Sequence, residues 1–308
     1  MWTTISNGLI ILLSVLTLWW GAVWVVESAA RIARRLGLSE LVIGLTLVAI
    51  GTSSPEFAVT VGAALKSQGD ISVGNVVGSN IFNLGFILGG VTLARALATS
   101  HKMVVRDGGM LIVTTLLLSF FLRDLHIARW EGMILLALLV AYVGFLLYRR
   151  EPMETIPIGE FHWYEVPRLL GGLMLVVGGG HYLVEAAIAL ARTVGISEWA
   201  IGVTVVAAGT SLPEFATSLV AVLRGRHGIS AGNLIGSDIF NLLGVLGLAA
   251  VLRPMTVDPS VYGSLWTLIG MVVLVVVFLM RTGWVLSRWE GALLILISLV
   301  RWVLDFRG

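Results

Sequence analysis

Twice in this 308-residue chain, carboxylates, hydroxyls, amides and a proline fall inside otherwise apolar sequence. The first set runs Gly51-Thr52-Ser53-Ser54-Pro55-Glu56-Phe57, followed by Gly74-Asn75-Val76-Val77-Gly78-Ser79-Asn80-Ile81-Phe82-Asn83. The second runs Gly209-Thr210-Ser211-Leu212-Pro213-Glu214-Phe215 and Gly232-Asn233-Leu234-Ile235-Gly236-Ser237-Asp238-Ile239-Phe240-Asn241, each 158 residues after its counterpart. Thr52 and Ser53 precede Glu56 by four and three residues, so hydroxyls and carboxylate share a helix face. Thr210, Ser211 and Glu214 repeat that spacing, and Ser79 with Asn83 matches Ser237 with Asn241. Pro55 lacks an N–H and clashes with the Gly51 carbonyl, as Pro213 does with that of Gly209, so each helix opens there. Carbonyls freed inside a membrane must line a cavity or bind something. Every ligand in the combined set is a hard oxygen, with no thiolate and no imidazole. That suits Ca2+ or Na+, and on hardness alone Mg2+ or Mn2+.

Mid-span prolines, glycines and hydroxyls also serve packing and bond back to their own helix. A mid-span carboxylate is a functional candidate by default, and here two stand at matching places. Glu27 and Glu185 lie at span ends near Arg31 and Arg192 and read as structural. Glu131 and Glu290 sit beside Trp130 and Trp289 and read as interfacial anchors. His181 stands four residues before Glu185 and pairs with it on one face; the other histidines fall in loops or at span ends.

These residues need a membrane scaffold. The chain is 57% hydrophobic and 12% charged, about half the charged fraction of a soluble domain, with a mean hydropathy of +0.97. The expected fold is an all-α integral membrane protein. Ten transmembrane helices are expected at 6–26, 41–65, 71–94, 108–122, 131–148, 168–190, 199–223, 229–252, 260–280 and 290–305. The last, carrying Arg301 and Asp305, is short for a bilayer. Val26-Glu27 and Val184-Glu185, and Arg129-Trp130-Glu131-Gly132 and Arg288-Trp289-Glu290-Gly291, extend the repeat. Each half therefore holds five spans, and an odd number forces two inverted five-helix repeats. The division is 1–148, a polar linker at 149–167 and 168–308. The glycines of the motifs (Gly74, Gly78, Gly85; Gly232, Gly236, Gly244) let helix backbones approach.

Placing the N-terminus outside puts 13 of the 20 Lys and Arg on the inner side, so the chain is expected in a cell membrane with both termini outside. The first apolar stretch has no basic flank or small-residue cleavage site and reads as a span rather than a signal. With no cysteine there is no disulfide or thiolate site, and without a basic block nothing points to nucleic acid. Partners are the lipid bilayer and the ions; oligomeric state is not encoded in any motif.

The paired G-T-S-x-P-E and G-N-x-x-G-S-[ND]-I-F-N motifs resemble the two alpha repeats of the sodium/calcium exchanger branch of the calcium/cation antiporter superfamily, across all ten spans. The resemblance implies exchange of Ca2+ for Na+ by alternating access, with the first and sixth spans moving across a core formed by the rest. It implies central cation ligands at Glu56 and Glu214. It also implies sodium ligands at Thr52, Ser53, Ser79, Thr210, Ser211 and Ser237 with the carbonyls of Ala49 and Ala207, and a set completed by Asn83 and Asn241. Potassium-dependent relatives carry Asp where this chain has Asn241, so the potassium-independent type is matched. No cofactor and no large regulatory insert are implied. The departure is Asp238, where the first copy has Asn80. It lies about 60° round the helix from Asn241, and two readings stay open: an additional ligand at the site edge, or a bond to a neighbouring span.

An enzyme is disfavoured, because no histidine joins the motifs and there is no H-E-x-x-H. An antiporter of Mn2+ or Mg2+, or one coupled to H+, is the alternative; a channel fits less well, because the site is internal and doubled within one chain. Two carboxylates repel across a low-dielectric gap, so protons should compete with cations for the pair. Cation affinity is therefore expected to fall as pH is lowered, and an affinity constant across a pH titration would contradict this.

Overall fold

The computed structural model describes residues 2–149, 161–193 and 207–305. The upstream part of the expected seventh span and most of the linker lie outside the described residues. The first helix, α1 (Trp2–Leu36), runs ten residues past its expected end. It is followed by α2 (Glu40–Thr52) and α3 (Ser54–Leu65), one apolar segment bent by 53°. Then come α4 (Gly69–Ala94), α5 (His101–Asp124), α6 (Arg129–Tyr148) and α7 (Glu165–Thr193). The second half continues with α8 (Ala207–Gly209), α9 (Leu212–Leu223), α10 (His227–Leu252), α11 (Val261–Arg281) and α12 (Arg288–Asp305).

Seven described helices (α1, α4, α5, α6, α7, α10 and α11) are long and apolar enough to cross a membrane, or eight if α2 and α3 form one broken span. The difference from ten has two sources: α9 is what is described of the seventh span, and α12 carries Arg288, Glu290, Arg301 and Asp305.

The all-helical expectation needs one amendment. Four two-residue strands occur, β1 (Leu97–Ala98), β2 (His126–Ile127), β3 (Met255–Thr256) and β4 (Val285–Leu286). They pair antiparallel as β1 with β4 and β2 with β3. Since β3 is the counterpart of β1 and β4 that of β2, each pair joins the two halves reciprocally, the contact pattern of a two-fold relation. Period-2 alternation has no length to show itself in two residues.

Two apolar clusters organise the interior. The larger draws on α4, α5, α6, α10 and α11, with Val76, Val77, Leu118, Leu135, Leu246 and Leu268 fully enclosed. The smaller runs along α1 and α7 and takes in Ile43 and Val48 of α2, Val220 and Ala221 of α9 and Ile229 of α10. Ala22, Val25, Val26, Ala29 and Ala33 form a buried stripe of mostly small residues on α1 at helical spacing. A neighbouring face of α1 meets α7, where a Cβ at Gly172 would lie 2.9 Å from the Gly21 carbonyl. Such close backbone approach is how helices associate in lipid, where burial of apolar surface supplies no driving force.

The ends of α1 and α7 are joined by charge. Buried Glu165 accepts from Ser28 Oγ at 2.8 Å and from Arg31 Nη1 at 2.6 Å. Arg168 donates to Glu27 at 2.7 Å, and Arg224, at the end of α9, also pairs with Glu27. Glu27 thus has the structural role expected of it, with more partners than Arg31. His181 and Glu185 pair at 3.4 Å on an exposed face. Glu131 and Glu290 do more than sit beside tryptophans: each accepts a backbone N–H three residues back, from Ala128 and Ser287, both at 2.8 Å, and caps its helix.

The motif glycines divide. A Cβ at Gly236 would lie 2.6 Å from Leu45 Cα and 2.7 Å from the Leu45 carbonyl, so α10 crosses α2 backbone to backbone. Gly74 and Gly78 have no described atom within 4 Å of the same position; the counterpart of 41–45 lies outside the described residues. Gly236→Ala is expected to destabilise the protein by about 1–3 kcal/mol. Gly263→Ala, on an open helix face, should be neutral or slightly stabilising. Thermal unfolding in detergent distinguishes the two.

Candidate cation site

The helix break expected at Pro55 falls at Ser53, whose φ of −78° and ψ of 12° end α2. Pro55 then sits in the first turn of α3, where a missing N–H costs nothing. Ser211 repeats the break with φ −89° and ψ 8°, ahead of Pro213 in α9. The Gly51 carbonyl is not left free, as the sequence implies, because Ser54 Oγ donates to it at 2.9 Å. Leu212 stands at the matching place and has no hydroxyl. The Ala49 carbonyl accepts the Ser53 N–H at 3.0 Å and Thr52 Oγ1 at 3.3 Å. Ala207 opens α8.

The breaks bring the two motifs face to face. Ser53 Oγ donates to Glu214 Oε1 at 2.8 Å, and Ser211 Oγ donates to Glu56 Oε1 at 2.9 Å. Helical spacing puts Ser53 beside Glu56; in the structure its hydroxyl instead crosses to the other copy. Ser237 Oγ adds a longer bond to Glu214 Oε1 at 3.4 Å. Thr52 Oγ1 reaches Asn233 Oδ1 at 3.0 Å, while Thr210 is half-buried at the second break.

Behind this pair, α4 crosses α10. Asn83 Nδ2 donates to Asp238 Oδ1 at 2.9 Å, and Asn80 Nδ2 to the Asp238 carbonyl at 3.0 Å. Asn241 Nδ2 donates to Asn80 Oδ1 at 3.2 Å and, more weakly, to Ser79 Oγ at 3.5 Å. Asn83 and Asn241 each begin a π-helical turn, Asn83–Ile87 and Asn241–Val245. Such turns re-aim side chains and recur at functional positions. Nothing in residue spacing announces them.

Glu56, Glu214 and Asp238 are fully enclosed, as are Ser53, Ser211, Ser237 and Asn241. Among the described residues no Lys, Arg or His forms an ion pair with any of the three acids. Five buried oxygens in this region have no hydrogen-bond donor: Glu56 Oε2, Glu214 Oε2, Asp238 Oδ2, Asn83 Oδ1 and Asn241 Oδ1. All five are acceptors. Buried polar groups are almost always satisfied, so this cluster calls for a cation or for hydrogen-bond donors from outside the protein. Among the described residues no three His, Cys, Asp or Glu group around one point. Any cation here must therefore mix carboxylate with hydroxyl, amide or carbonyl oxygen.

A supporting layer escaped the sequence reading. Asn75 Nδ2 donates to Thr60 Oγ1 at 3.0 Å and to the Glu56 carbonyl at 3.4 Å. Asn233 does the same with Ser218 Oγ at 2.9 Å and the Glu214 carbonyl at 3.4 Å. Ser72 and Ser230 bond the carbonyls of Thr60 and Ser218 at 3.0 and 2.9 Å. The signal was present: each of these polar positions recurs at the 158-residue offset inside apolar sequence.

Comparison with known proteins matches residues 6–148 and 166–303 to the family described as sodium/calcium exchanger protein. The putative antiporter CaxA of Alkalimonas amylolytica is 33% identical over 93% of this chain and 94% of its own length. The sodium/calcium exchanger MaX1 of Methanosarcina acetivorans is 34% identical over 94% and 95%. Among solved structures, the sodium-calcium exchanger NCX_Mj soaked with 10 mM Na+ and 10 mM Sr2+ superposes with a TM-score of 0.84. It is 27% identical over 99% of both chains.

A cation that binds the folded cage but not the unfolded chain stabilises the fold, by about 2.7 kcal/mol at a hundredfold excess over Kd. Ca2+ or Sr2+ should accordingly raise the unfolding midpoint in detergent, and the gain should vanish in the Glu56→Gln/Glu214→Gln double variant. Identical midpoints with and without every cation would remove these oxygens as a site.

Proposed function

The chain belongs to the sodium/calcium exchanger protein family, and from that premise we propose that it is a membrane antiporter exchanging Ca2+ for Na+ by alternating access. The observation that carries the reading is the set of five donorless acceptor oxygens enclosed between the two motifs. Glu56 and Glu214 are the central ligands and together match the charge of one divalent ion. Their second oxygens are already fixed by Ser211 and Ser53, so the unpartnered ones are oriented before an ion arrives and little ordering is lost on binding. The hydroxyls of Thr52, Ser53, Ser79, Thr210, Ser211 and Ser237, with the Ala49 and Ala207 carbonyls, are the sodium ligands. Asn83 and Asn241 complete the set.

In this reading the ten spans form two inverted five-helix repeats, 1–148 and 168–308, joined by the linker at 149–167. The reciprocal strand pairs and the crossed serine–glutamate bonds support it, because each contact recurs with the halves exchanged. Both termini lie outside the cell membrane. The Glu27, Glu165, Arg31, Arg168 and Arg224 network then lies at the inner end of α1 and α7. Alternating access requires α1 and α7 to shift against the rest. Their backbones meet closely, with a Cβ at Gly172 only 2.9 Å from the Gly21 carbonyl, which favours their moving together.

In proteoliposomes, Ca2+ uptake should require an outwardly directed Na+ gradient, and Glu56→Gln or Glu214→Gln should reduce it to the level of protein-free vesicles. Uptake driven equally well by a proton gradient, or Mn2+ or Mg2+ transported in preference to Ca2+, would replace the Na+/Ca2+ assignment. Ca2+ flux surviving both substitutions would displace the site itself.

A further inference from the structure

Resting on the antiport reading above, we propose that Asp238 creates an additional monovalent-cation site where α4 crosses α10, formed with the side-chain oxygens of Asn83 and Asn241 and filled alongside the ion held by Glu56 and Glu214. Asn80 and Asp238 are counterparts 158 residues apart, and they differ in what they can donate. Asn80 is satisfied at both ends: its amide donates to the Asp238 carbonyl at 3.0 Å and its oxygen accepts from Asn241 at 3.2 Å. Asp238 has an oxygen where an asparagine would have an N–H2. Its Oδ1 takes one bond from Asn83, and its Oδ2 is buried with no partner. No Lys or Arg among the described residues pairs with it. A single neutral amide does not compensate the desolvation of a carboxylate.

The neighbouring amides each keep a buried oxygen without a donor. Turning the Asn83 amide over would press its oxygen against Asp238 Oδ1, so the carboxylate fixes Asn83 with its own Oδ1 left over. Asn241 spends its N–H2 on Asn80 and Ser79, and its Oδ1 is likewise left over. One carboxylate and two amide oxygens make a hard set of net charge −1, which a monovalent alkali ion neutralises. The two glutamates separately match a divalent ion. The whole cage then carries three negative charges, one more than the motif glutamates supply.

The test compares wild type with Asp238→Asn, which restores the residue of the first copy at nearly the same volume. Purified protein is titrated with Na+ or K+ alone, at constant ionic strength and without Ca2+, following the unfolding midpoint. In proteoliposomes the charge moved is measured per Ca2+ transported. We expect the variant to require about tenfold more of Na+ or of K+ for half-maximal stabilisation, which identifies the ion. We also expect the charge per Ca2+ to change by one elementary unit. A variant with the wild-type titration and the wild-type charge ratio would overturn the proposal. So would a charge ratio in the wild type that follows pH and ignores Na+ and K+, since Asp238 would then hold a proton. If Asp238→Asn does not fold, wild-type crystals soaked in Rb+ or Tl+ decide: an anomalous peak in contact with Asp238 Oδ2 supports the site, and its absence at saturating ion rejects it. Failure of Na+-driven Ca2+ exchange alone would fall on the antiport reading, because the Na+ and K+ titrations need no transport.

Discussion

The structure depends on one exchange of hydrogen bonds: Ser53 to Glu214 and Ser211 to Glu56. Two carboxylates enclosed in apolar protein repel one another and lose their hydration, and each costs several kcal/mol unless compensated. A hydroxyl from the opposite copy ties down one oxygen of each and leaves the other without a donor. Everything near the site follows from the need to bring a serine of one motif to a glutamate of the other. The helix must break to turn the serine outward, and Pro55 and Pro213 make the break permanent. The crossing helix must come close, and Gly236 removes the Cβ that would prevent it.

Breaking helices inside a membrane exposes backbone that must find partners. The two copies meet this need with the same layer of side chains: Asn75 and Asn233 each hold a glutamate carbonyl. They differ elsewhere. Ser54 caps Gly51 in the first copy and Leu212 leaves Gly209 without such a cap; Asn80 in one motif becomes Asp238 in the other. Glu27 is held by three arginines, whereas its counterpart Glu185 pairs with exposed His181. The repeat is thus symmetric in its frame and uneven in its charges.

The candidate residues that the structure gathers were readable from residue types, because mid-membrane carboxylates have few uses and because duplication separates them from chance. The breaks were readable because proline acts through its own geometry, whatever surrounds it. The bonds between Ser53 and Glu214, 161 residues apart, were not. Periodicity reports which residues share a face, and it assigned Ser53 to Glu56, the partner an unbroken helix would give. The π turns at Asn83 and Asn241 and the strands at Leu97–Ala98 and Met255–Thr256 were equally silent, since each arises from packing between segments far apart in sequence. The length of α1 was underestimated because its last turns, Ser28 to Leu36, are polar on one side, where Arg31 pairs with Glu165 of α7.

The short strands carry a consequence of their own. Each of β1, β2, β3 and β4 finds its only partner among the described residues in the other half of the chain, and each central glutamate takes its shortest side-chain hydrogen bond from a serine of the other half. Neither half holds a finished site or a finished staple. Thermodynamically the molecule resembles an obligate dimer whose two subunits happen to share a covalent thread. Each buried glutamate takes a serine hydroxyl from the other half, so the two copies complete the cluster only together.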